Sequence, residues 1–341
     1  MDNGKQNNFR PRYRARIKAT GSFTPPDVLT NADLERMVDT SDEWITTRTG
    51  IKERRIASKE MSGVDMSVKA VEIALSDAGW APEDVQLLIV GTVTPDYRLP
   101  SNSCVIQERM GLVNAGTMDI AAACAGFIHG LAIASAFIES GQLERIVVVG
   151  VEKLSSITNY KDRGTCILFG DGAGATAVER TEEDRGVLAS FLKSDGRLGK
   201  LLWIPVGGTV APYQEAMRNG GINNGEDCLA MNGSEVFKHA VRQMGDAALN
   251  VIKQANMTTE DINLVVPHQA NIRIIEAVTK RLGVPDDRVF INIEKYGNTS
   301  SASVPLALDE ARRSGRIKDG DNVLMIAFGG GLTWAAALVN W

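Results

Sequence analysis

Cys124, His268 and Asn298 are the residues whose types and settings could together carry out covalent catalysis. Cys124 lies in "DIAAACAGF", near the start of a predicted helix, where the helix dipole and free N–H groups favour a thiolate. Its Ala and Gly neighbours leave room for a substrate. His268 follows a buried apolar run in "VVPHQAN", and functional side chains collect at the carboxyl ends of parallel strands. A Cys in an Ala/Gly run is more often a small buried hydrophobe, so the chemical interpretation depends on these partners.

A Cys–His–Asn set is compatible with two classes of enzyme. In a papain-like protease, His activates Cys and Asn orients His. In an acyltransferase, Cys carries an acyl group as a thioester. The Trp that usually neighbours a papain-like Cys is missing, and strand and helix patterns alternate along the whole chain. We therefore favour acyl transfer, and we expect the other histidines, His129 and His239, to be structural.

Composition excludes several other functions. The chain has 341 residues, 44% hydrophobic and 23% charged, with a formal charge of -5 and no basic excess for nucleic acid. Four cysteines form no CxxC pair and three histidines show no metal-ligand spacing, so we expect no metal site. Residues 1–13 are expected to form a mobile arm, and they lack the apolar stretch of a secretory signal. These features favour a reduced, cytoplasmic protein.

Two further stretches need an interpretation. The uncharged run 120–138 is nearly long enough to cross a membrane, but its Ala and Gly supply little transfer energy and His129 lies at its middle. We predict a buried helix there and no membrane insertion. The segment "GDGAGA", residues 170–175, lacks the spacing of a dinucleotide-binding or P-loop motif, and we predict a structural turn.

Short apolar runs typical of buried strands alternate with helical patterns along the chain. The predicted strands are "VQLLIVGT", "RIVVVGVE", "NLVVPH", "NVLMIAFGG" and "WAAALVNW". The predicted helices are "SGVDMSVKAVEIALSDAG", "SEVFKHAVRQMGDAALNVIKQAN" and "NIRIIEAVTKRLG". This alternation predicts an α/β fold with a mostly parallel sheet.

The two halves of the chain resemble each other. "SDAGWAPEDVQLLIV" matches "KQANMTTEDINLVVP", and "LFGDGAGATAV" matches "AFGGGLTWAAALV", in the same order. Without a gap, the segment that begins at Cys124 aligns with the one that begins at Asn298, through to Gly141 and Gly315. We predict a duplicated fold with halves at residues 14–185 and 186–341. Equivalent helix starts can face each other across a pseudo-twofold axis, which would place Cys124 and Asn298 in one site.

The segments "DIAAACAGF", "GTCILFGDGAGATAV", "VPHQANIRII", "YGNTSSASVPLALDEA" and "AFGGGLTW" closely resemble those of the thiolase-fold condensing enzymes. Within that group the chain resembles the β-ketoacyl-[acyl carrier protein] synthase III family, from about Lys18 to Trp341. The resemblance implies a duplicated thiolase-like fold with five layers, α-β-α-β-α. It also implies initiation of type II fatty-acid synthesis. An acyl-CoA acylates Cys, and the acyl group then condenses with malonyl-carrier protein as carbon dioxide leaves. No cofactor is implied beyond these substrates.

The resemblance assigns roles to the catalytic residues. Cys124 is the nucleophile, and its own amide and that of Gly330 hold the oxyanion formed during acyl transfer. His268 and Asn298 donate hydrogen bonds to the enolate oxygen that forms on decarboxylation.

The resemblance also implies binding residues and a homodimer. Trp44, Arg48 and Arg163 would bind the CoA nucleotide by stacking on adenine. The basic surface for the acidic carrier protein would consist of Lys238, Arg273, Lys280 and Arg281. Phe237 and Phe328 would line the acyl pocket. Leu99 stands where acetyl-using members carry Phe, at a position that reaches across the dimer to the partner's pocket, so we expect longer or branched primers.

Two alternatives stay open within this resemblance. A relative from specialised metabolism could use the same three residues with an unusual acyl group. An inactive relative that only binds carrier protein is disfavoured, because Cys124, His268 and Asn298 are all present.

Overall fold

The computed structural model describes residues 12–218, 221–222 and 225–341, so the predicted N-terminal arm lies almost wholly outside the described residues. The strands are β1 (Arg14–Phe23), β2 (Val28–Thr30), β3 (Glu53–Arg55), β4 (Leu87–Gly91), β5 (Gly116–Ile120), β6 (Arg145–Lys153), β7 (Asp171–Thr181), β8 (Gly186–Ser194), β9 (Leu202–Trp203), β10 (Ala230–Met231), β11 (Leu264–Pro267), β12 (Asn322–Gly329) and β13 (Thr333–Asn340). The five strands and three helices predicted from alternating patterns are confirmed in position. The buried helix predicted at residues 120–138 begins only at Gly126, since Ile120 ends β5.

The helices are α1 (Asn31–Glu35), α2 (Asp42–Thr49), α3 (Gly63–Ala78), α4 (Asn102–Met110), α5 (Gly126–Glu139), α6 (Arg163–Cys166), α7 (Tyr213–Arg218), α8 (Gly233–Gln254), α9 (Ile272–Leu282), α10 (Ile293–Tyr296) and α11 (Ser303–Arg313). Short 3₁₀ turns precede α5 and α11, at Ala123–Ala125 and Ser300–Ala302. These two turns lead into the two central helices.

The main strands form two mixed sheets. The first has the order β1-β7-β6-β4-β5 and the second β11-β12-β13-β8. Within them β4–β5, β4–β6 and β11–β12 pair in parallel, whereas β1–β7, β6–β7, β12–β13 and β13–β8 are antiparallel. The prediction of a mostly parallel sheet was therefore wrong. Strands β12 and β13 show one reason, since the three residues between them are too few for a parallel crossover.

The sheets and helices stack as five layers, as the resemblance implied. Helices α3 and α4 cover the outer face of the first sheet, and α8 and α9 cover the outer face of the second. Helices α5 and α11 lie between the sheets and share one apolar core with both. In α5, Phe127, Ile128, Leu131 and Ile138 are fully buried, and each such side chain stabilises the fold by roughly 1.5–3 kcal/mol.

The predicted boundary between residues 185 and 186 stays a prediction, but sheet membership supports it. All strands of the first sheet lie before residue 182, and all strands of the second begin at Gly186 or later. The sheets also share the core around α5 and α11. The two halves thus pack on each other through their central helices.

The gapless alignment of the two central helices was wrong. The helices end at equivalent residues, because their C-caps are Ser140 and Ser314. Their starts, however, are offset by three residues: Ala123, with φ 44°, is the counterpart of Ser300, with φ 48°. The structural counterpart of Cys124 is thus Ser301, since α11 is shorter than α5 by three residues. Asn298 lies in the loop before the second turn.

The predicted turn at residues 170–175 was also wrong, because Asp171 begins the buried strand β7. The glycines of this segment allow close packing rather than a change of direction. A Cβ on Gly174 would lie 2.7 Å from the Pro305 side chain and 2.8 Å from its backbone. A strand with side chains at this point could not lie so close to α11.

The starts of both central helices meet the first sheet at three glycines. A Cβ on Gly150 of β6 would lie 2.2 Å from the carbonyl oxygen of Ser301. A Cβ on Gly91 of β4 would lie 2.7 Å from the backbone of Gly126, and one on Gly126 would lie 2.9 Å from Ser301 Oγ. Only glycine permits this approach. The distance between the two helix starts is therefore set by backbone contact.

Replacing Gly150 by Ala tests this packing. The added Cβ would force β6 away from the second 3₁₀ turn, because 2.2 Å is far below any contact distance. We expect the free energy of unfolding to fall by about 1–3 kcal/mol. Urea denaturation measures the change. The matched control is Gly196→Ala, where an added Cβ meets no atom within 4 Å, and its expected effect is below about 0.5 kcal/mol. Equal stability of the two variants would contradict close packing at Gly150.

Candidate active site

A cavity of about 970 Å³ brings the predicted chemical residues together. Its wall includes Cys124, His268, Asn298 and Gly330. These residues come from four separate segments: the turn before α5, the loop after β11, the loop before the second 3₁₀ turn, and the β12–β13 connection. The fold therefore assembles in one place what the sequence separates by up to 206 residues, from position 124 to position 330.

Cys124 is held by a strained turn. Strand β5 ends at Ile120, Ala123 adopts a left-handed conformation, and Cys124 lies in the 3₁₀ turn immediately before α5. The side chain is buried, with 8% of its surface exposed. Burial raises the pKa of the Cys124 thiol to about 12, and the charge of Glu152 acts in the same direction, whereas the Ser300 hydroxyl lowers it. The expectation of a standing thiolate was wrong for this structure, because burial outweighs the stabilising contacts.

His268 is neutral and held in one tautomer. Burial lowers the pKa of His268 to about 3, so the ring carries no charge at neutral pH. Its Nδ1 lies 2.5 Å from the Ser303 hydroxyl, which the backbone N–H of Gln269 approaches at 3.4 Å. The hydroxyl oxygen accepts from Gln269, and we assign its own proton to the bond with Nδ1. The ring proton then sits on Nε2, where it can donate a hydrogen bond to a substrate.

Asn298 has its amide orientation fixed by the backbone. Its Oδ1 accepts from the N–H of Ser300 at 2.8 Å, which leaves the amide Nδ2 as a donor. Its own backbone is held on both sides, donating to Leu168 at 2.8 Å and accepting from Gly170 at 3.0 Å. The site thus holds two neutral donors, His268 Nε2 and Asn298 Nδ2. Such a pair suits an oxygen that gains negative charge during a reaction.

The β12–β13 connection presses against Cys124. A Cβ on Gly329 would lie 2.6 Å from the Cys124 backbone nitrogen, and one on Gly330 would lie 2.9 Å from the Leu202 carbonyl oxygen. Glycine is required at both positions. The predicted oxyanion donors, the amides of Cys124 and Gly330, thus belong to segments in close contact. Their role as donors stays a prediction.

The sequence patterns did not identify three residues of the site: Glu152, Ser300 and Ser303. Glu152 follows six buried positions of β6 and is itself fully buried. Its carboxylate accepts hydrogen bonds from Val93, Thr92, Thr94 and Ser300. The sequence did hold a signal for Glu152, a single carboxylate at the end of an apolar strand. A buried charge costs free energy unless hydrogen bonds or ion pairs compensate it. The two serines carried no such signal.

The predicted CoA residues lie together, although Arg163 is not part of the cavity wall. Arg48 and Arg163 both stack on the Trp44 ring, with Cζ 4.7 Å and 4.9 Å from its centroid. Trp44 and Arg48 lie four residues apart on α2 and both line the cavity. The ring faces are therefore occupied by guanidinium groups, so an adenine would have to insert between or displace them.

The four predicted carrier-protein residues separate into two groups. Lys238 and Arg273 lie at the cavity wall, and Arg273 stacks on Phe237 at 5.9 Å. Lys280 is exposed in the last turn of α9. Arg281 instead packs against α8, where it pairs with Asp246 and donates to the Arg242 carbonyl at 2.7 Å. Arg281 thus holds α9 on α8 as well as contributing charge.

The predicted acyl-pocket residues also separate. Phe237 and Phe328 both line the cavity. Leu99 does not: its side chain is 88% exposed and lies outside the cavity wall. A role for Leu99 in an acyl pocket therefore requires a second chain, and it stays a prediction.

The described residues contain neither a candidate metal site nor a candidate membrane span. In that part of the chain, no three His, Cys, Asp or Glu side chains are grouped so that they could hold a metal ion. None of the helices described above has the length and apolar character needed to cross a membrane.

Sequence and structure comparisons match this geometry to known proteins. A family profile described as 3-oxoacyl-[acyl-carrier-protein (ACP)] synthase III matches residues 118–196, and the profile of its C-terminal part matches residues 252–341. A β-ketoacyl-[acyl-carrier-protein] synthase III from Caldanaerobacter subterraneus is 51% identical over 330 residues, covering 97% of this chain and 98% of the relative.

Solved structures give the same result. The 3-oxoacyl-[acyl-carrier-protein] synthase III from Aquifex aeolicus superimposes with a TM-score of 0.88 at 46% identity, covering 96% of this chain and 100% of that chain. The priming β-ketosynthase of a polyketide biosynthetic pathway superimposes with a TM-score of 0.90 at 38% identity, covering 98% of each chain.

The raised pKa of Cys124 predicts the charge state of the free enzyme. Between about pH 6 and pH 9, we expect no thiolate to form at Cys124, because burial favours the neutral thiol. The ultraviolet absorbance of thiolate, measured as the difference between the protein and its Cys124→Ser variant, tests this. A titration step near neutrality that is lost in the variant would contradict a buried thiol.

Proposed function

The chain belongs to the β-ketoacyl-[acyl-carrier-protein] synthase III family of condensing acyltransferases, and from that premise we propose its reaction. An acyl-CoA acylates Cys124, and the acyl group then condenses with malonyl-carrier protein as carbon dioxide leaves. The product is a β-ketoacyl-carrier protein, which initiates type II fatty-acid biosynthesis. The observation that carries the proposal is the presence of Cys124, His268 and Asn298 on one cavity wall.

Acylation requires a site for negative charge on the thioester oxygen. As Cys124 Sγ attacks, that oxygen becomes an oxyanion, for which the amides of Cys124 and Gly330 are the proposed donors. The contact between Gly329 and the Cys124 nitrogen supports this role, because it holds the two segments in fixed register. Collapse of the intermediate expels CoA and leaves the acyl group on sulfur.

Condensation requires donors of a different kind. Loss of carbon dioxide from the malonyl group places negative charge on its thioester oxygen, and neutral His268 and Asn298 are proposed to donate to it. A neutral imidazole suits this role, because it retains its proton while stabilising the charge. The enolate carbon then attacks the acyl-Cys124 carbonyl. Every step uses residues of this chain and the two substrates, so we propose that no cofactor is needed.

Two groups of residues are proposed to bind the partners, CoA and the carrier protein. Trp44, Arg48 and Arg163 would bind the CoA nucleotide. Lys238, Arg273, Lys280 and Arg281 would receive the acidic carrier protein.

We also propose a homodimer. Strand β5 is an edge strand with an unpaired ladder, and Tyr97 and Leu99 nearby are 59% and 88% exposed. The four free thiols, from Cys104 to Cys228, are consistent with a cytoplasmic location.

A second candidate is a priming ketosynthase of specialised metabolism. The observation that favours it is the TM-score of 0.90 with the polyketide priming enzyme. It uses the same chemistry with a different acyl group, so the primer profile discriminates between the two.

Substitutions of Cys124 and His268 should separate the two half-reactions. Cys124→Ala should abolish acylation by acyl-CoA. His268→Ala should still acylate, but release of carbon dioxide from malonyl-carrier protein should fall about a hundredfold or more, because an oxyanion donor is lost. Mass spectrometry of the acyl-enzyme and a carbon dioxide assay measure the two steps. The control is His239→Ala on α8, outside the cavity wall. Equal loss of both steps in His268→Ala would contradict separate roles.

Primer choice tests the role of Leu99. We expect turnover with isobutyryl- and hexanoyl-CoA as well as acetyl-CoA, because Leu leaves more room than Phe at this position. Leu99→Phe should lower the hexanoyl rate about tenfold or more relative to acetyl. Steady-state rates with the three primers measure this. A strict acetyl preference in the unsubstituted protein would refute it.

A further inference from the structure

Glu152 is a buried carboxylate beside the nucleophile that the reaction described above does not use. It lies near the end of β6 and is fully buried, which is costly for a charged group without compensation. Its hydrogen bonds come from neutral donors: the N–H groups of Val93 and Thr94, and three hydroxyls. The following residue, Lys153, points elsewhere and donates to the carbonyls of Ser58 and Met61.

Ser300 connects this carboxylate to Cys124. Its hydroxyl donates to Glu152 Oε1 at 3.1 Å, and it shares the cavity wall with Cys124. The 3₁₀ turn that begins at Ser300 packs against the turn that holds Cys124, and the same hydroxyl lowers the pKa of the Cys124 thiol. Its position is fixed by the left-handed backbone at Ser300 and by the bond from its N–H to Asn298 Oδ1.

His268 is poorly suited to take the proton of the thiol. Its Nδ1 is occupied by Ser303, and burial lowers the pKa of His268 to about 3, so a proton on it would be strongly disfavoured. The thiol itself is protonated at neutral pH. Acylation therefore needs another group that accepts a proton as sulfur attacks.

We propose that Ser300 and Glu152 form a proton relay that deprotonates Cys124 during acylation. Ser300 contacts the reacting sulfur, and Glu152 acts through Ser300 as a positioning residue and final proton acceptor. This inference rests on the proposed function, because it assumes that Cys124 attacks a thioester.

The proton and electron balance of the step is as follows. Cys124 Sγ forms a bond to the thioester carbon, and the carbonyl electron pair moves to oxygen. At the same time the thiol proton passes to Ser300 Oγ while the hydroxyl proton of Ser300 passes to Glu152. Collapse of the oxyanion breaks the carbon–sulfur bond to CoA, whose thiolate takes a proton from solvent. When condensation later expels the Cys124 thiolate, protonated Glu152 returns its proton through Ser300.

The ionisation of Glu152 sets the pH dependence. Burial raises the pKa of Glu152 to about 7 against its five hydrogen-bond donors, so the carboxylate is protonated below that pH and can accept a proton above it. Cys124, whose thiol is protonated, lies within the field of Glu152, and His268 on the same cavity wall as Cys124 is neutral. Neither changes charge near neutrality. Acylation should therefore increase as pH rises through about 7 and then level off.

The test is single-turnover acylation of the full-length protein by acetyl- and isobutyryl-CoA at pH values below and above about 7. The release of CoA and the mass of the acylated protein measure the rate. We expect the acylation rate of Glu152→Gln to be lower by about a hundredfold or more. Its pH–rate profile should also lose the inflection near neutrality. Ser300→Ala should show the same loss. The double variant should lose little more than either single variant, because the two residues act in one relay.

The control is Asp171→Asn, which also replaces a buried carboxylate on the first sheet but accepts its hydrogen bonds from Ala57 and Ser155 instead of Ser300. It should keep the pH profile of the unsubstituted protein. If Glu152→Gln fails to fold, Ser300→Ala decides alone. Unchanged rates and profiles in both relay variants would overturn the relay and leave the proposed function intact. Absence of acylation in the unsubstituted protein would overturn both.

Discussion

Close contact between Ser301 and three glycines is the constraint on which the site depends. Gly91, Gly126 and Gly150 come from β4, α5 and β6, and each would clash with its neighbour if it carried a Cβ. Among the described residues the Ser301 hydroxyl has no hydrogen-bond partner, so the contact is one of size rather than polarity. Because this contact fixes the second 3₁₀ turn against the first, it also fixes Ser300 beside Cys124 and Asn298 on the same wall.

Within this frame the site is built from neutral groups. Cys124 is a thiol, His268 an uncharged imidazole, and Asn298 an amide whose oxygen is already bonded. Glu152 is the one group here whose pKa lies near neutrality. With a neutral thiol, imidazole and amide on the cavity wall, the donors respond to the charge that develops on the substrate. The two half-reactions then differ in which oxygen gains charge, and in which donors it meets.

The sequence predicted the elements, and the residues that share the cavity wall, better than it predicted how they are arranged. Apolar runs located the strands, and the repeat indicated two similar halves with facing helices. The alignment failed by three residues at the helix starts, because the match at Gly141 and Gly315 gives no information on where each helix begins. Segment 170–175 was misassigned because its glycines serve close packing within a strand.

The electrostatics of the site could not be predicted from the sequence at all. A helix start suggested a thiolate at Cys124, but burial by residues distant in the chain outweighs that effect. Glu152 and Ser300 lie 148 residues apart, and their contact depends on how the sheets and helices pack. The structure of one chain does not test the role proposed for Leu99, since that role requires a second chain.

A crystal structure of the acyl-enzyme would test the central claim most directly. The claim is that the fold holds Cys124 between one set of donors for acylation and another for decarboxylation. It predicts an acyl group on Cys124 Sγ, with its carbonyl oxygen bonded to the amides of Cys124 and Gly330. His268 and Asn298 would remain free to meet the second substrate. An acyl oxygen bonded to His268 or Asn298, or an acyl group on another residue, would contradict it.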